Sequence, residues 1–226
     1  MVFKPGIIAV RSRPSSPLLT PIVFQKWYED VHIPDVLGTG HVKSATRYHV
    51  TDAEDRDEGS MPFLAIYNLP DMGWLHEEGC QFWKIPLHSE ILPGDNTSIF
   101  DVAEFATSFY EIVDTAQLGM ATDGRGVASR MLLSSFNLTQ EEQGGDPSSI
   151  HKVALARLGI KDKGALGSVR STLFKVDQTR PHHPAMQTPV GTPGEKQYLC
   201  MVRNMVLFVD YVSRTNYNLS WNIQGS

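Results

Sequence analysis

The sequence predicts an α+β protein of two tandem βαββαβ units, the second incomplete, and three observations carry that expectation. Strand-like and helix-like stretches follow one another as β, α, β, β, α, β through the first half of the chain. Two short stretches of that half recur, in the same order, in the second half. A helix with a continuous apolar face joins the first two strands.

Gly6 to Arg11 reads as a buried strand through Ile7, Ile8, Ala9 and Val10, and the turn-rich stretch Ser12 to Pro17 stops it. Thr20 is placed to cap a helix with Pro21 in its first position, and Phe24, Trp27, Tyr28 and Val31 share one face at i, i+3, i+4 and i+7. Pro34 and Gly38-Thr39-Gly40 are expected to end this helix, after which His41 to Val50 resumes as a strand. An acidic loop, Asp52 to Glu58, leads to Phe63 through Asn68, apolar on both faces and so a strand covered on both sides. Met72 to Leu92 reads as a second helical stretch interrupted at Pro86, with Trp74, Leu75, Phe82, Trp83 and Ile85 as its apolar residues, and Val102 to Val113 as a long strand. That order is the ferredoxin-like unit.

Beyond the Gly-rich link Gly119 to Gly126, Met131 to Leu138 is strand-like, and a helix from Pro147 to Leu158 is capped by Asp146. Gly40-His41-Val42-Lys43-Ser44 is echoed by Gly167-Ser168-Val169-Arg170-Ser171, and Phe63-Leu64-Ala65-Ile66-Tyr67 by Tyr198-Leu199-Cys200-Met201-Val202. The chain therefore divides into an N-terminal unit, 1–118, and a degenerate C-terminal unit, 119–226, with no second amphipathic helix after Asp210. Thr179 to Gly194 holds four prolines and the pair His182-His183, and reads as an exposed loop or lid.

Hydrophobic residues at 41% and a net charge of −5 over 226 residues describe an ordinary soluble protein without the basic footprint that nucleic acid or an anionic membrane requires. No window approaches the roughly 18 apolar residues of a membrane span, and no secretory leader is evident, so a cytoplasmic location is expected. Cys80 and Cys200 have neither disulfide-framework nor metal-ligand spacing and are expected to be buried as small hydrophobes. His76, His182 and His183 lack partners at metal-ligand spacing, and Gly38-Thr39-Gly40 and Gly124-Arg125-Gly126 lack the dinucleotide context, so neither a metal nor a cofactor is expected. Ser134-Ser135 and Ser148-Ser149 lack the nucleophile elbow of a serine hydrolase.

The run Phe24-x-x-Trp27-Tyr28-x-x-x-His32-Ile33-Pro34, followed by Gly40-x-x-x-Ser44-x-x-Arg47-Tyr48, resembles the EthD-like branch of the dimeric α/β-barrel superfamily. The two-unit chain resembles the fused form found among its fungal members. The resemblance implies that the two ferredoxin-like units form an intramolecular dimeric α/β barrel, either as a monomer with fused halves or as a homodimer. It implies ligand binding between sheet and helices. It also implies a small hydrophobic substrate, since relatives include cofactor-free decarboxylases, cyclases and isomerases of secondary metabolism as well as haem-binding and ligand-binding proteins. The fold fixes no single reaction.

His32 is the first candidate for acid or base work, because imidazole titrates near neutrality. Tyr28, one turn earlier, could orient it or donate to a developing oxyanion, and Asp35 or Asp30 could fix its tautomer, although Asp30 points about 160° away from Tyr28 on a regular helix. The structural alternative places His32 in the last helical turn, bonding a free carbonyl. His88 ranks second as a catalytic residue, the alternative being an exposed histidine beside Glu90. Substrate contacts are expected from Phe24, Trp27, Arg47, Tyr48, His49, Tyr67 and Trp83. Phe24 and Trp27 equally suit a helix packed on a sheet, and Arg47 equally suits a pairing with the acidic loop. Arg47 and His49 share one strand face with Lys43 and Ala45, while Ser44, Thr46 and Tyr48 take the other, and one of these faces should line the cavity. In the second half, Ala154, Leu155 and Gly159 stand where Trp27, Tyr28 and His32 would repeat, so a single site in the N-terminal half is expected.

The sequence thus leads to a cofactor-independent isomerase, cyclase (pericyclic included) or decarboxylase. The alternative is a non-catalytic carrier of a small apolar ligand or haem.

Overall fold

The first strand, β1 (Gly6–Pro14), pairs antiparallel with β3 (Phe63–Leu69), from Gly6 opposite Leu69 to Ser12 opposite Phe63. Gly6 to Val10 of β1 and Phe63 to Tyr67 of β3 are buried on both faces, as their apolar runs require. A computed structural model describes residues 4–50, 61–95, 97–118, 130–158, 160, 169–176, 197–203 and 219–222. These fall into two compact units: 4–47, 61–95 and 97–109 in the first, the remainder in the second.

In the first unit Thr20, in extended conformation, accepts the Val23 N–H and opens α1 (Pro21–Trp27), with Pro21 where no intrahelical donor is needed. Thr20→Ala is expected to cost about 1 kcal/mol in urea unfolding, with Thr20→Ser close to wild type. Pro34 does not end the helix as expected. One π-helical turn, Tyr28–His32, intervenes, and α2 (Ile33–Gly38) carries on through the proline. Proline offers no N–H to the Asp30 carbonyl and crowds it, and the widened turn, closed by the Ile33 N–H on the Tyr28 carbonyl, absorbs the defect. The helix ends at Gly38, with the Thr39 hydroxyl on the Val36 carbonyl at 2.7 Å and Gly40 at φ +76°. β2 (Ser44–Val50) lies beside β3, tied by the Lys43 N–H on the Asn68 carbonyl and the Asn68 amide on the Ser44 hydroxyl.

Met72 to Leu92 is not the second helix that its aromatic spacing suggests. It folds as two 3-10 turns, Met72–His76 and Gln81–Lys84, followed by the single-turn α3 (Ile99–Val102). Gly73, Gly79 and Pro86 break the segment too often for an α-helix and Pro93-Gly94 close it, with Gly79 and Gly94 at φ of +79° and +95°. Trp83 still anchors it, donating Nε1–H to the Leu75 carbonyl at 3.0 Å. The strand β4 (Ala103–Leu118) begins in this unit, where Glu104 holds Arg13 of β1 at 2.7 Å.

In the second unit β4 pairs antiparallel with β6 (Val169–Val176), β6 with β7 (Tyr198–Arg203), β7 with β5 (Arg130–Phe136), and β5 with β8 (Leu219–Asn222), which meets His49 and Val50 of β2. The helix α4 (Pro147–Arg157), capped by Asp146, packs on β6 and β7 and buries Ile150, His151, Ala154 and Leu155. Cys80 and Cys200 are buried free thiols, one in each unit.

The expected fold class is corrected accordingly. The chain is a mixed α+β protein, but within each unit the strands form an open antiparallel run whose two edge strands, β2 and β4, do not pair with each other, so neither sheet closes as a ferredoxin-like barrel. Nor do the described residues show a tandem βαββαβ repeat. The first unit has 3-10 turns in place of its second helix, and α4 is the only α-helix of the second among the described residues, beside one 3-10 turn at Glu142–Gly144. Of the sequence echoes, Phe63–Tyr67 and Tyr198–Val202 fall on buried strands, β3 and β7, and mark strand composition, whereas Gly40–Lys43 precede β2 and Gly167 and Ser168 lie outside the described residues.

Candidate functional site

The π turn places Tyr28 and His32 on the side of the helix that faces the sheet. The His32 ring stacks on Trp27 at 4.7 Å and meets the rings of Tyr28 and Tyr67 edge-on, at 5.5 and 6.2 Å. With the helix running on to Gly38, His32 lies inside it and not in a last turn, so the carbonyl-capping role does not apply. From β2, the Arg47 guanidinium lies 4.3 Å over the Tyr28 ring and 5.4 and 5.7 Å from those of Phe63 and Phe24. Ala45 packs into the same core, so the face of β2 that carries Ala45 and Arg47 is the one turned to the helix.

This cluster is buried yet polar. Trp27 Nε1, His32 Nδ1, Tyr67 Oη and all three guanidinium nitrogens of Arg47 are shielded from solvent without a hydrogen-bond partner among the described residues. Each such group costs on the order of 1–3 kcal/mol, more when charged, so the cluster is held against its own desolvation. Burial pushes the His32 imidazole down to about 4. The Tyr28 phenol is pushed up to about 12, burial outweighing the opposing pull of Arg47 and Ser12. Tyr67 is raised well above its ordinary range by burial and by the neighbouring Tyr28, and burial lowers Arg47 against the pull of Tyr28, Glu29 and Tyr67. Near neutrality the cluster therefore holds a neutral imidazole, two protonated phenols and one cation.

The other expected site residues lie elsewhere. Phe24 is a core wall, in contact with Trp27, Tyr28, Phe63 and Phe105. Trp83 packs on Phe82 and Phe109. His88 is exposed, bridging to Ser98 on an irregular segment and not on a helix. Tyr48 and His49 belong to the second unit. The acidic loop proposed for Arg47, the loop carrying His182 and His183, and Gly159 lie outside the described residues. Ser12, read from the sequence as a turn residue, is a buried member of β1 beside Tyr28, and nothing in its surroundings in the sequence announces this.

A second polar array was also not foreseen. His151 of α4 is 1% exposed, with Nδ1 2.9 Å from Asp114 Oδ2 of β4 and Nε2 2.8 Å from Ser171 Oγ of β6, and that hydroxyl is 3.5 Å from Cys200 Sγ of β7. Its signal was available, because His151 stands at i, i+3, i+4 and i+7 with Ala154, Leu155 and Leu158 on the buried face of α4. Imidazole and hydroxyl both find partners here, and Ser171 is fully buried, so the array fastens the helix to the sheet. Ser171→Ala is expected to cost about 1–2 kcal/mol in denaturant unfolding, by leaving His151 Nε2 unpaired.

Among the described residues no His, Cys, Asp or Glu side chains group as a metal-ligand set, and no helix is long and apolar enough to cross a membrane.

No family model and no curated protein matches this chain. The likeness of the Phe24 to Tyr48 motif to the EthD-like family is therefore not upheld, and neither is the barrel that the likeness implied. The motif residues are accounted for by local structure. Trp27 and Tyr28 face the core at helical spacing, and His32 and Pro34 accompany the π turn.

Proposed function

We propose that this protein is a cofactor-independent enzyme that moves a proton on a hydrophobic substrate, as an isomerase, cyclase or decarboxylase of secondary metabolism. The observation that carries it is the meeting of a neutral imidazole, its Nδ1 shielded from solvent, with two protonated phenols, Tyr28 and Tyr67, and with Arg47, a cation without a partner among the described residues, between aromatic walls. The neutral His32 takes a proton from a carbon next to a carbonyl. The electron pair moves onto the carbonyl oxygen, where the Tyr28 and Tyr67 phenols donate to the oxyanion and the Arg47 charge lies close by. An imidazolium is disfavoured where His32 lies, and the oxyanion formed beside it offsets that cost. Return of the proton to a different carbon completes an isomerisation. Attack of the enolate carbon on a second carbonyl completes a cyclisation, with the proton going to the new alkoxide. The rings can also hold a reactive conformer.

The test is exchange of the α-protons of benzoylacetone for deuterium, followed by proton NMR with the intact chain. Acceleration that is lost in His32→Ala and reduced in Tyr28→Phe supports the reading. Equal rates with and without the protein, or in all variants, would overturn it.

His32 Nδ1, without a partner among the described residues, also supports a second reading, a haem carrier in which His32 would be the residue that holds the iron. A Soret band after titration with haemin, lost in His32→Ala, would select it.

A further inference from the structure

We propose that the site around Arg47 takes a monocarboxylate, so that the substrate is an apolar, aromatic or polyunsaturated acid bound through a fork of two N–H donors. The proposal rests on reading this cluster as a substrate site but not on any proton transfer there.

Among the described residues, the groups facing Arg47 leave its charge uncompensated. Phe24, Tyr28 and Phe63 present ring faces, which attract a cation but offer no oxygen to its N–H donors. Tyr28, Tyr67 and His32 are neutral near pH 7. Glu29 acts on Arg47 only through space, being exposed with its Oε1 on the Gln25 amide at 3.0 Å. One buried cation with unused donors matches one planar anion with two oxygens, the pairing that guanidinium makes best. A phosphate would bring more charge than one cation neutralises, and among the described residues no second cation is seen at these rings. The aromatic side chains that surround the guanidinium suit the flat apolar body of such an acid. A carboxylate anchored at Arg47 is stabilised in the ground state and so is not the group expelled, which directs the chemistry toward isomerisation or cyclisation at a neighbouring carbon.

Isothermal titration of the intact protein with cinnamate, its neutral isostere cinnamamide and inorganic phosphate tests this. Cinnamate is expected to bind at least about tenfold more tightly than cinnamamide, as loss of a charged hydrogen-bonded pair implies. In Arg47→Met, checked for folding by circular dichroism, the preference should disappear, and Arg47→Lys should keep part of it. If Arg47→Met does not fold, the comparison of acid and amide on the wild type decides alone. Equal binding of acid and amide, no binding of either, or tighter binding of phosphate would overturn the proposal. The two readings fail separately. A carboxylate preference without α-proton exchange keeps this site and removes the enzyme, and exchange without the preference does the reverse.

Discussion

Replacing His32 with alanine is expected to lower the rate of α-proton exchange by about 10²- to 10⁴-fold, the usual contribution of a positioned general base. The wild-type rate should be flat through pH 6.5 and fall only as the pH drops toward about 4, where burial has moved the imidazole. The same burial makes a stability statement. The folded imidazole titrates near 4 and the unfolded one near its ordinary value of about 6.5, so above that range neither state takes the proton. Between the two values the unfolded chain binds a proton that the folded one refuses, and stability falls with falling pH. The loss amounts to about 3 kcal/mol by pH 4. Carboxylates titrate alike in wild type and His32→Ala, so the difference between their urea-unfolding free energies isolates the imidazole. That difference should shift against the wild type by this amount from pH 7 to pH 4. Parallel pH profiles would show that His32 is solvated in the folded protein.

Arg47→Met is expected to stabilise the protein by about 1–3 kcal/mol while removing its affinity for carboxylates. Methionine keeps the apolar stem among Phe24, Tyr28 and Phe63 and brings no buried charge or unpaired donor, and apolar replacement of buried ions stabilises by this order. The cation–π attraction lost with the guanidinium, about 1–2 kcal/mol, is the opposing effect and sets the lower end of the range. A gain in denaturation midpoint together with lost binding is the signature of a group kept for function at the expense of stability. A loss of more than about 1 kcal/mol would mean that the folded chain supplies Arg47 with a counter-charge of its own.

How much of this was legible beforehand depended on the range of the interaction. Phe24, Trp27 and Tyr28 are buried as their spacing indicates, because a helical face is set by residues three and four apart. Of the two expected stops the helix ends at Gly38-Thr39-Gly40 and runs through Pro34, because proline chemistry predicts a defect in the ladder and only the packing of the following turn decides whether the chain breaks or widens. The aromatic spacing of Met72 to Leu92 imitated a helix, but its glycines and prolines outweighed it. Of the site, His32 and Tyr28 were visible as chemistry-bearing residues one turn apart. That Arg47 would reach their rings unpaired was not, since strand periodicity left both faces of β2 open.

The sequence by itself determined the mixed α+β class, the twice-buried strands β1 and β3, the capped entry to α1 and the apolar face that helix presents, all of them set by neighbours within about one turn or one pleat. The tertiary structure alone decided which strands pair, that the sheet of each unit is open, that Tyr28, His32, Tyr67 and Arg47 converge, and that Asp114, His151 and Ser171 join β4, α4 and β6. These depend on partners about 15 residues apart or more, such as Tyr28 with Arg47 and Tyr67 and His151 with Ser171, where no local period carries information. They are chosen by which buried surfaces fit together and which polar groups burial leaves unsatisfied.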